Sequence, residues 1–222
     1  CGYILKKDSP SCGMERVKVY HTDEDGKVTG SEATGVGLFA QQIMAQNPAL
    51  PCEENGRLND PIIRENFVLR VFAYHEWLAF KALGLTKHKL IQFHSQHKYL
   101  LLSHDQNRYK SLGKLLGSSK LPLEELAQVY ILEFMTALKQ KATRGSHTNT
   151  LQHIQGYFSK NLSAEEKAEL TEQIKAYRDG LMPLIAPLTL LKHYLLLHPN
   201  EYLSQQRYLD PYPQQLRLRY GY

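Results

Sequence analysis

The segment "DPIIRENFVLRVFAYHEWLAFKALG", Asp60–Gly84, decides the reading of the fold. Asp60 is an N-cap residue and Pro61 stands at the first helical position, where a missing N–H costs nothing. Gly84 supplies a helix stop about six turns later. Phe67, Val68, Val71, Phe72, His75, Leu78, Ala79 and Ala82 recur at three and four, which predicts one buried stripe on a long helix. From this helix onward nearly everything is helical.

Downstream, Thr86 can cap a helix through "KHKLIQFHSQHKYLLLSHD", and "QNRYKSLGKLLG" continues it or follows a bend, with Gly117 as a stop. Pro122 opens another helix whose core face is Leu123, Leu126, Ala127, Tyr130, Phe134 and Leu138. A further helix is expected over Thr148–Ser159. Ser163-Ala-Glu-Glu166 is a capping box for a helix ending near Gly180, and Pro187 begins a last apolar helix. The tail after it is rich in Tyr, Arg and Pro. Its Arg207, Tyr208, Tyr212, Arg217 and Tyr220 suit either stacking on unpaired bases or binding the tail to the helical body.

Upstream, Tyr3-Ile4-Leu5 and "RVKVY" read as strands, "TDEDGKVTGSEATG" as a turn-rich loop, and "VGLFAQQIMAQ" as a helix. The glycines Gly35 and Gly37 at that helix's start offer N–H groups that could hold an anion, or simply a turn. "NPALPCEENGR" breaks regular structure. The expected fold is mainly α: a multi-helix C-terminal domain preceded by the truncated end of a small α/β domain. The expected divisions are residues 1–55, a connecting helix over 56–90, and an all-helical domain over 91–222. The opening Cys1, already inside a strand-like run, suggests a piece of something longer.

Three irregularly spaced cysteines argue against a disulfide framework and for a reducing, cytoplasmic setting. No apolar run is long enough to span a bilayer. The net charge of +5 is local: residues 86–120 hold seven Lys/Arg against Asp105 alone, together with His88, His94, His97 and His104. Such a block suits a polyanion, or a solvated helix face. Nucleophile elbow, Walker loop, His-Glu-x-x-His and closely spaced acid pair are all absent. Glu53 and Glu54, beside a turn and ahead of a helix, read as charges that favour the helix dipole.

Three constellations carry chemistry. Cys12 lies in the turn Ser9-Pro-Ser-Cys-Gly13, which could aim a thiolate at a cluster or substrate, with Ser9 and Ser11 alongside, or hold an inert loop cysteine. His94, His97 and His104 share a helix face, but i to i+10 spans about 15 Å, too far for one metal ion. Of these, His97 and His104 read as donors to phosphate or base edges beside Lys98, Arg108 and Lys110, with a satisfied core histidine as the competing account. Arg144, Ser146, His147, Thr148, Asn149, Gln152 and His153 concentrate donors at a helix junction, as a phosphate cradle would.

"FHSQHKYLLLSHDQNRYKSLGKLLG", "TRGSHTNTLQHIQGYFSKNLSAEEKAEL" and "YRDGLMPLIAPLTLLKHYLLLHPNEYLSQQRYLDPYP" resemble the YbgA-type helical domain, from about Ile91 to Pro213. "GYILKKDSPSCGM" and "PCEENGRLNDPIIRENFVLRVF" resemble the closing part of a TudS-like thiouracil desulfidase domain. The resemblance implies an iron–sulfur enzyme that removes sulfur from 4-thiouridine in tRNA, with the helical domain holding the RNA. It implies that Cys12 is one of three cysteines of a [4Fe–4S] cluster and that Ser9 is the active-site serine beside the substrate. The other two cysteines would lie in an N-terminal desulfidase segment, so residues 1–222 alone are expected to hold no cluster and turn over no substrate. The tRNA contacts chosen on physical grounds are Lys98, Arg108, Lys110 and Arg144 for phosphates and His97, His147 and Asn149 for sugars or bases. Two rival readings remain: a non-catalytic helical module binding nucleic acid or protein, and a desulfidase of free thiouracil.

Overall fold

A computed structural model of the chain describes residues 1–219, so Tyr220 lies outside the described residues. The chain divides into two compact units, Cys1–His75 and a second from Glu76 onward. Among the described residues, nine α-helices and two small two-stranded sheets make the fold mainly α, as expected.

In the first unit, β1 (Tyr3–Leu5) pairs in parallel with β4 (Cys52–Glu54), with Tyr3 opposite Cys52 and Leu5 opposite Glu54. Parallel strands need a long crossover, and α1 (Leu38–Gln46) lies within it. Leu5, Ala40 and Cys52 form one buried cluster of this unit, with Cys12, Met14, Met44 and Leu50 packed against them. The crossover also carries an antiparallel ribbon, β2 (Val17–Thr22) with β3 (Val28–Gly35). The expected loop "TDEDGKVTGSEATG" is thus half strand: Gly, Ser and Thr give it weak strand propensity, and pairing with β2 overrides that. β4 likewise corrects the reading of "NPALPCEENGR" as irregular throughout.

The long helix α2 (Pro61–Ala82) starts as its caps require. Asp60 Oδ1 accepts from the N–H groups of Ile62 (2.8 Å) and Ile63 (3.1 Å), and Gly84 beyond the helix has φ +85°. Its buried face is not the expected stripe. Phe67, Leu69, Ala73 and Trp77 are buried together with Asn66 and Arg70, while His75, Leu78, Ala79 and Ala82 are exposed. The segment is apolar nearly all round, so periodicity alone leaves its phase open. The phase is set by Arg70, which pairs with Glu53, and by Trp77, which packs on Phe93 and Tyr130 at 5.4 and 5.9 Å between ring centres.

The second unit holds α3 (Lys87–His104), α4 (Gln106–Ser118), α5 (Leu123–Lys139), α6 (Arg144–Gln155), α7 (Ala164–Arg178), α8 (Ile185–Leu197) and α9 (Glu201–Ser204). Thr86 caps α3 through Lys89 N–H, and Asp105 makes the bend before α4 by accepting from Asn107 and Arg108. Ser163 and Glu166 form the expected capping box of α7. α6 begins four residues earlier than expected, because Thr143 and Ser146 make a second capping box. The core face of α5 is read correctly from Leu126 to Leu138. Of the two readings of the tail, the structure takes the binding one for Arg207, Tyr208 and Tyr212, while Arg217 is exposed. Tyr208 is fully buried, Arg219 donates to its carbonyl at 2.9 Å, and Arg207 pairs with Glu76 at 2.8 Å.

Candidate functional site

The cysteine turn is built by short backbone bonds. Gly13 N–H donates to Ser9 O (2.7 Å), and Cys12 N–H donates to Ser9 Oγ (3.1 Å). Serine three residues ahead is therefore the brace of the cysteine. The turn sits on the start of α1: Leu38 N–H donates to Pro10 O, while Phe39 and Ala40 N–H both donate to Ser11 O. These donors are consumed by the turn, so the anion-holding role considered for the Gly35–Gly37 entry is corrected. Gly37 serves close approach instead. A Cβ there would lie 2.4 Å from the carbonyl carbon and oxygen of Ser11 and 2.7 Å from Cys12 N, a contact no side chain survives.

Two non-glycine residues with left-handed backbone, Asp8 (φ 58°) and Arg16 (φ 57°), bracket this turn. Such conformations cost on the order of 1–3 kcal/mol and persist where surroundings enforce them, often at functional sites. Beside the turn lies a cavity of about 530 Å³, bordered by Lys7, Asp8, Pro10, Arg16, Lys18 and Tyr20. Cys12 is half-buried and its Sγ lies 3.7 Å from Ser11 Oγ.

Behind the turn is a buried charged cluster that the sequence reading missed. Glu54, 1% exposed, accepts from the N–H groups of Met14 (2.9 Å) and Glu15 (3.4 Å), the residues that follow the turn. Glu53 is buried between Arg57 Nε at 2.8 Å and Arg70 Nη2 at 3.8 Å. Burial lowers the pKa of Arg70, and the charge of Glu53 opposes that fall. A buried carboxylate needs such partners. Glu54 is framework for the residues that follow the cysteine turn, and Glu53 is partner to Arg57 and Arg70, rather than either being a charge placed to favour a helix dipole. Their position on β4 is the signal, and it becomes readable only once that strand is recognised.

In the helical unit the expected RNA contacts separate into tied and available groups. His97 is corrected: it is 1% exposed, its Nδ1 bonded to Phe93 O at 2.8 Å and its Nε2 facing Glu76 at 3.3 Å. It is the satisfied core histidine. Burial opposes ionisation of Glu76, but hydrogen bonds and charge from His97 and Arg207 outweigh it and hold the carboxyl below its ordinary value. Arg108 is bound by Asp105 at 2.9 Å and Glu133 at 3.1 Å. Arg144 donates to Tyr177 O at 2.8 Å and lies over that ring. His147 bonds to the Tyr208 hydroxyl at 3.0 Å, and burial pushes its pKa well down. Asn149 is half-buried on α6, and His104 bonds to Gln140 O. Lys98 and Lys110 are the pair that the structure brings to one place, a cavity between α3 and α4.

Among the described residues, no group of three or more His, Cys, Asp or Glu side chains is placed to share a metal ion, and no helix is long and apolar enough to cross a membrane. Residues 98–213 match the family model described as "Protein of unknown function (DUF1722)", and residues 1–55 match the one described as "2-thiouracil desulfurase". The "Uncharacterized protein YbgA" of Escherichia coli (strain K12) is 35% identical over 159 residues, covering 71% of this chain and 94% of that protein. No solved structure matches the chain.

Proposed function

Since the chain belongs to the family described as "Protein of unknown function (DUF1722)", with a desulfurase-type segment ahead of its YbgA-like domain, we propose that it serves in removing sulfur from 4-thiouridine in tRNA. The helical unit holds the RNA, and the first unit contributes Ser9 and Cys12 to the reacting site. The observation that carries this reading is the construction of the Ser9–Gly13 turn. Cys12 N–H is tied to a serine hydroxyl, the turn is seated closely on Gly37, and the two residues that follow it are held by the buried Glu54.

In this reading Cys12 is one ligand of a [4Fe–4S] cluster. Cys12 is the ligand that this chain would contribute, through its thiolate. The remaining ligands belong to a desulfidase segment outside residues 1–222, which is a required partner. What this chain's residues do is position. Ser9 Oγ accepts from Cys12 N–H, which leaves its own O–H to donate to a substrate atom. Lys7, Arg16 and Lys18 border the neighbouring cavity; Lys7 is paired with Asp8 on the same wall and Arg16 with Glu15, which leaves Lys18 as the cation there for an anionic substrate backbone.

The test is anaerobic reconstitution of the protein with its desulfidase segment, followed by loss of thiouridine from thiolated tRNA. Cys12→Ala is expected to remove the cluster absorbance and the activity together, and Ser9→Ala to lower the activity while the absorbance stays. Unchanged turnover in Cys12→Ala would refute the reading. The description of the matched N-terminal family favours a second substrate, free 2-thiouracil. Parallel assays on tRNA and on the free base decide between the two.

A further inference from the structure

A cavity of about 660 Å³ opens in the helical unit, within the range of small-molecule sites, roughly 300–1,000 Å³. Its walls come from α3, α4, α9 and the short turn at residues 156–158. Two lysines, Lys98 and Lys110, line it, and no carboxylate does. Among the described residues neither lysine has a carboxylate within ion-pairing distance, although Arg108 on the same helix as Lys110 has two. Lys98 instead rests on the rings of Tyr99 and Tyr202, 5.8 and 6.0 Å from their centres. Its charge is thus held at the cavity wall without being neutralised.

The remaining lining is planar and polar-edged. Tyr157 and Tyr202 stack on one another at 5.7 Å with 24° between planes, and Tyr157 is 40% exposed. Tyr109 adds a third phenol to the wall. His94 is tied through Nδ1 to the Tyr130 hydroxyl at 3.2 Å. Its Nε2 faces Gly113, where even an added Cβ would stay 3.9 Å away. A cation pair wants an anion, aromatic faces want a flat ring, and a neutral imidazole edge can hydrogen-bond a base or sugar.

We propose that this cavity binds one nucleotide, its phosphate at Lys98 and Lys110 and its base against the Tyr157–Tyr202 stack. The nucleotide has two sources: a free mononucleotide, or an unstacked residue of an RNA strand. The second source rests on the RNA-holding role proposed above, and the first does not. An acidic peptide would meet the lysines equally well but would leave the stacked tyrosines without a partner.

The experiment is calorimetric titration of this chain with uridine 5′-monophosphate, uridine, and inorganic phosphate, alongside tRNA binding at several salt concentrations. The monophosphate is expected to saturate one site and to bind roughly tenfold or more tighter than either half alone. Lys110→Gln and Lys98→Gln should each weaken it roughly tenfold, with unchanged helical circular dichroism showing that the variants fold. Absence of saturable monophosphate binding, or equal binding by both variants, overturns the proposal. Should tRNA still bind in that event, the RNA reading survives without the cavity. Should the monophosphate bind while tRNA does not, or while the variants leave tRNA affinity and its salt slope unchanged, the cavity serves a free nucleotide. The RNA-holding role then has to be sought on another face or abandoned.

Discussion

His94 gives a prediction whose size follows from its surroundings. Burial in the α3–α5 packing, helped by the charges of His97 and Lys98, lowers its pKa from an ordinary 6.5 to about 4. The imidazole is neutral in the folded protein and bonded to the fully buried Tyr130. Because the folded pKa lies below the unfolded one, the unfolded chain takes up the proton first. Its contribution is therefore intact above about pH 6.5 and is lost progressively as pH falls from there toward 4. Between pH 8 and pH 5 the loss amounts to about 2 kcal/mol. Urea unfolding at those two pH values, on the wild type and on His94→Gln, isolates the term: the variant should lose about 2 kcal/mol less on acidification, other groups cancelling in the difference. The ring proton of His94 should titrate near 4 by magnetic resonance. A titration midpoint at or above 6, or the same acid sensitivity in the variant, would refute the reasoning.

Two further expectations concern the cysteine turn. Gly37→Ala places a Cβ 2.4 Å from the Ser11 carbonyl, where only backbone movement gives room; a cost of about 1–3 kcal/mol is expected in urea unfolding, with faster labelling of Cys12 in a Cys1→Ser background. A cost near zero would mean that Gly37 is not the seat of the turn. Arg16→Gly removes a side chain from a left-handed position at φ 57° and gives up only an exposed pair with Glu15; a gain of about 1 kcal/mol and a higher thermal midpoint are expected, and no gain would show the conformation to be unstrained.

Sequence made the helices legible where a side chain closes a local hydrogen bond. Asp60, Thr86 and Ser163 each announce a helix start, and each accepts the expected N–H. It failed where a distant partner decides. The phase of α2 depends on Glu53 finding Arg70, and β3 depends on β2, neither of which a local period can show. His97 illustrates the same limit: a histidine in a basic helix looks like a ligand until Glu76 and Phe93 are seen around it. The charge block over residues 86–120 contains Lys98, Arg108 and Lys110 alike, and only the folded geometry separates the two lysines from the tied Arg108. Around Cys12 the turn is legible in the sequence, while the contacts that seat it, from Gly37 and Glu54, come from far along the chain.

The ribbon β2–β3 leaves the core just after the cysteine turn and returns just before α1, and Gly37 N–H donates to Gly13 O at 2.8 Å where it closes. The ribbon from Lys18 to Thr34 is thus an excursion pinched shut at its base. Closing a longer loop raises the entropic cost only logarithmically, about 0.6 kcal/mol for each doubling of length. The spacing between the cysteine and its glycine seat is therefore nearly free to drift, whereas the seat itself is not. A motif search that fixes the number of residues between Cys12 and Gly37 would miss chains that preserve the same three-dimensional clasp.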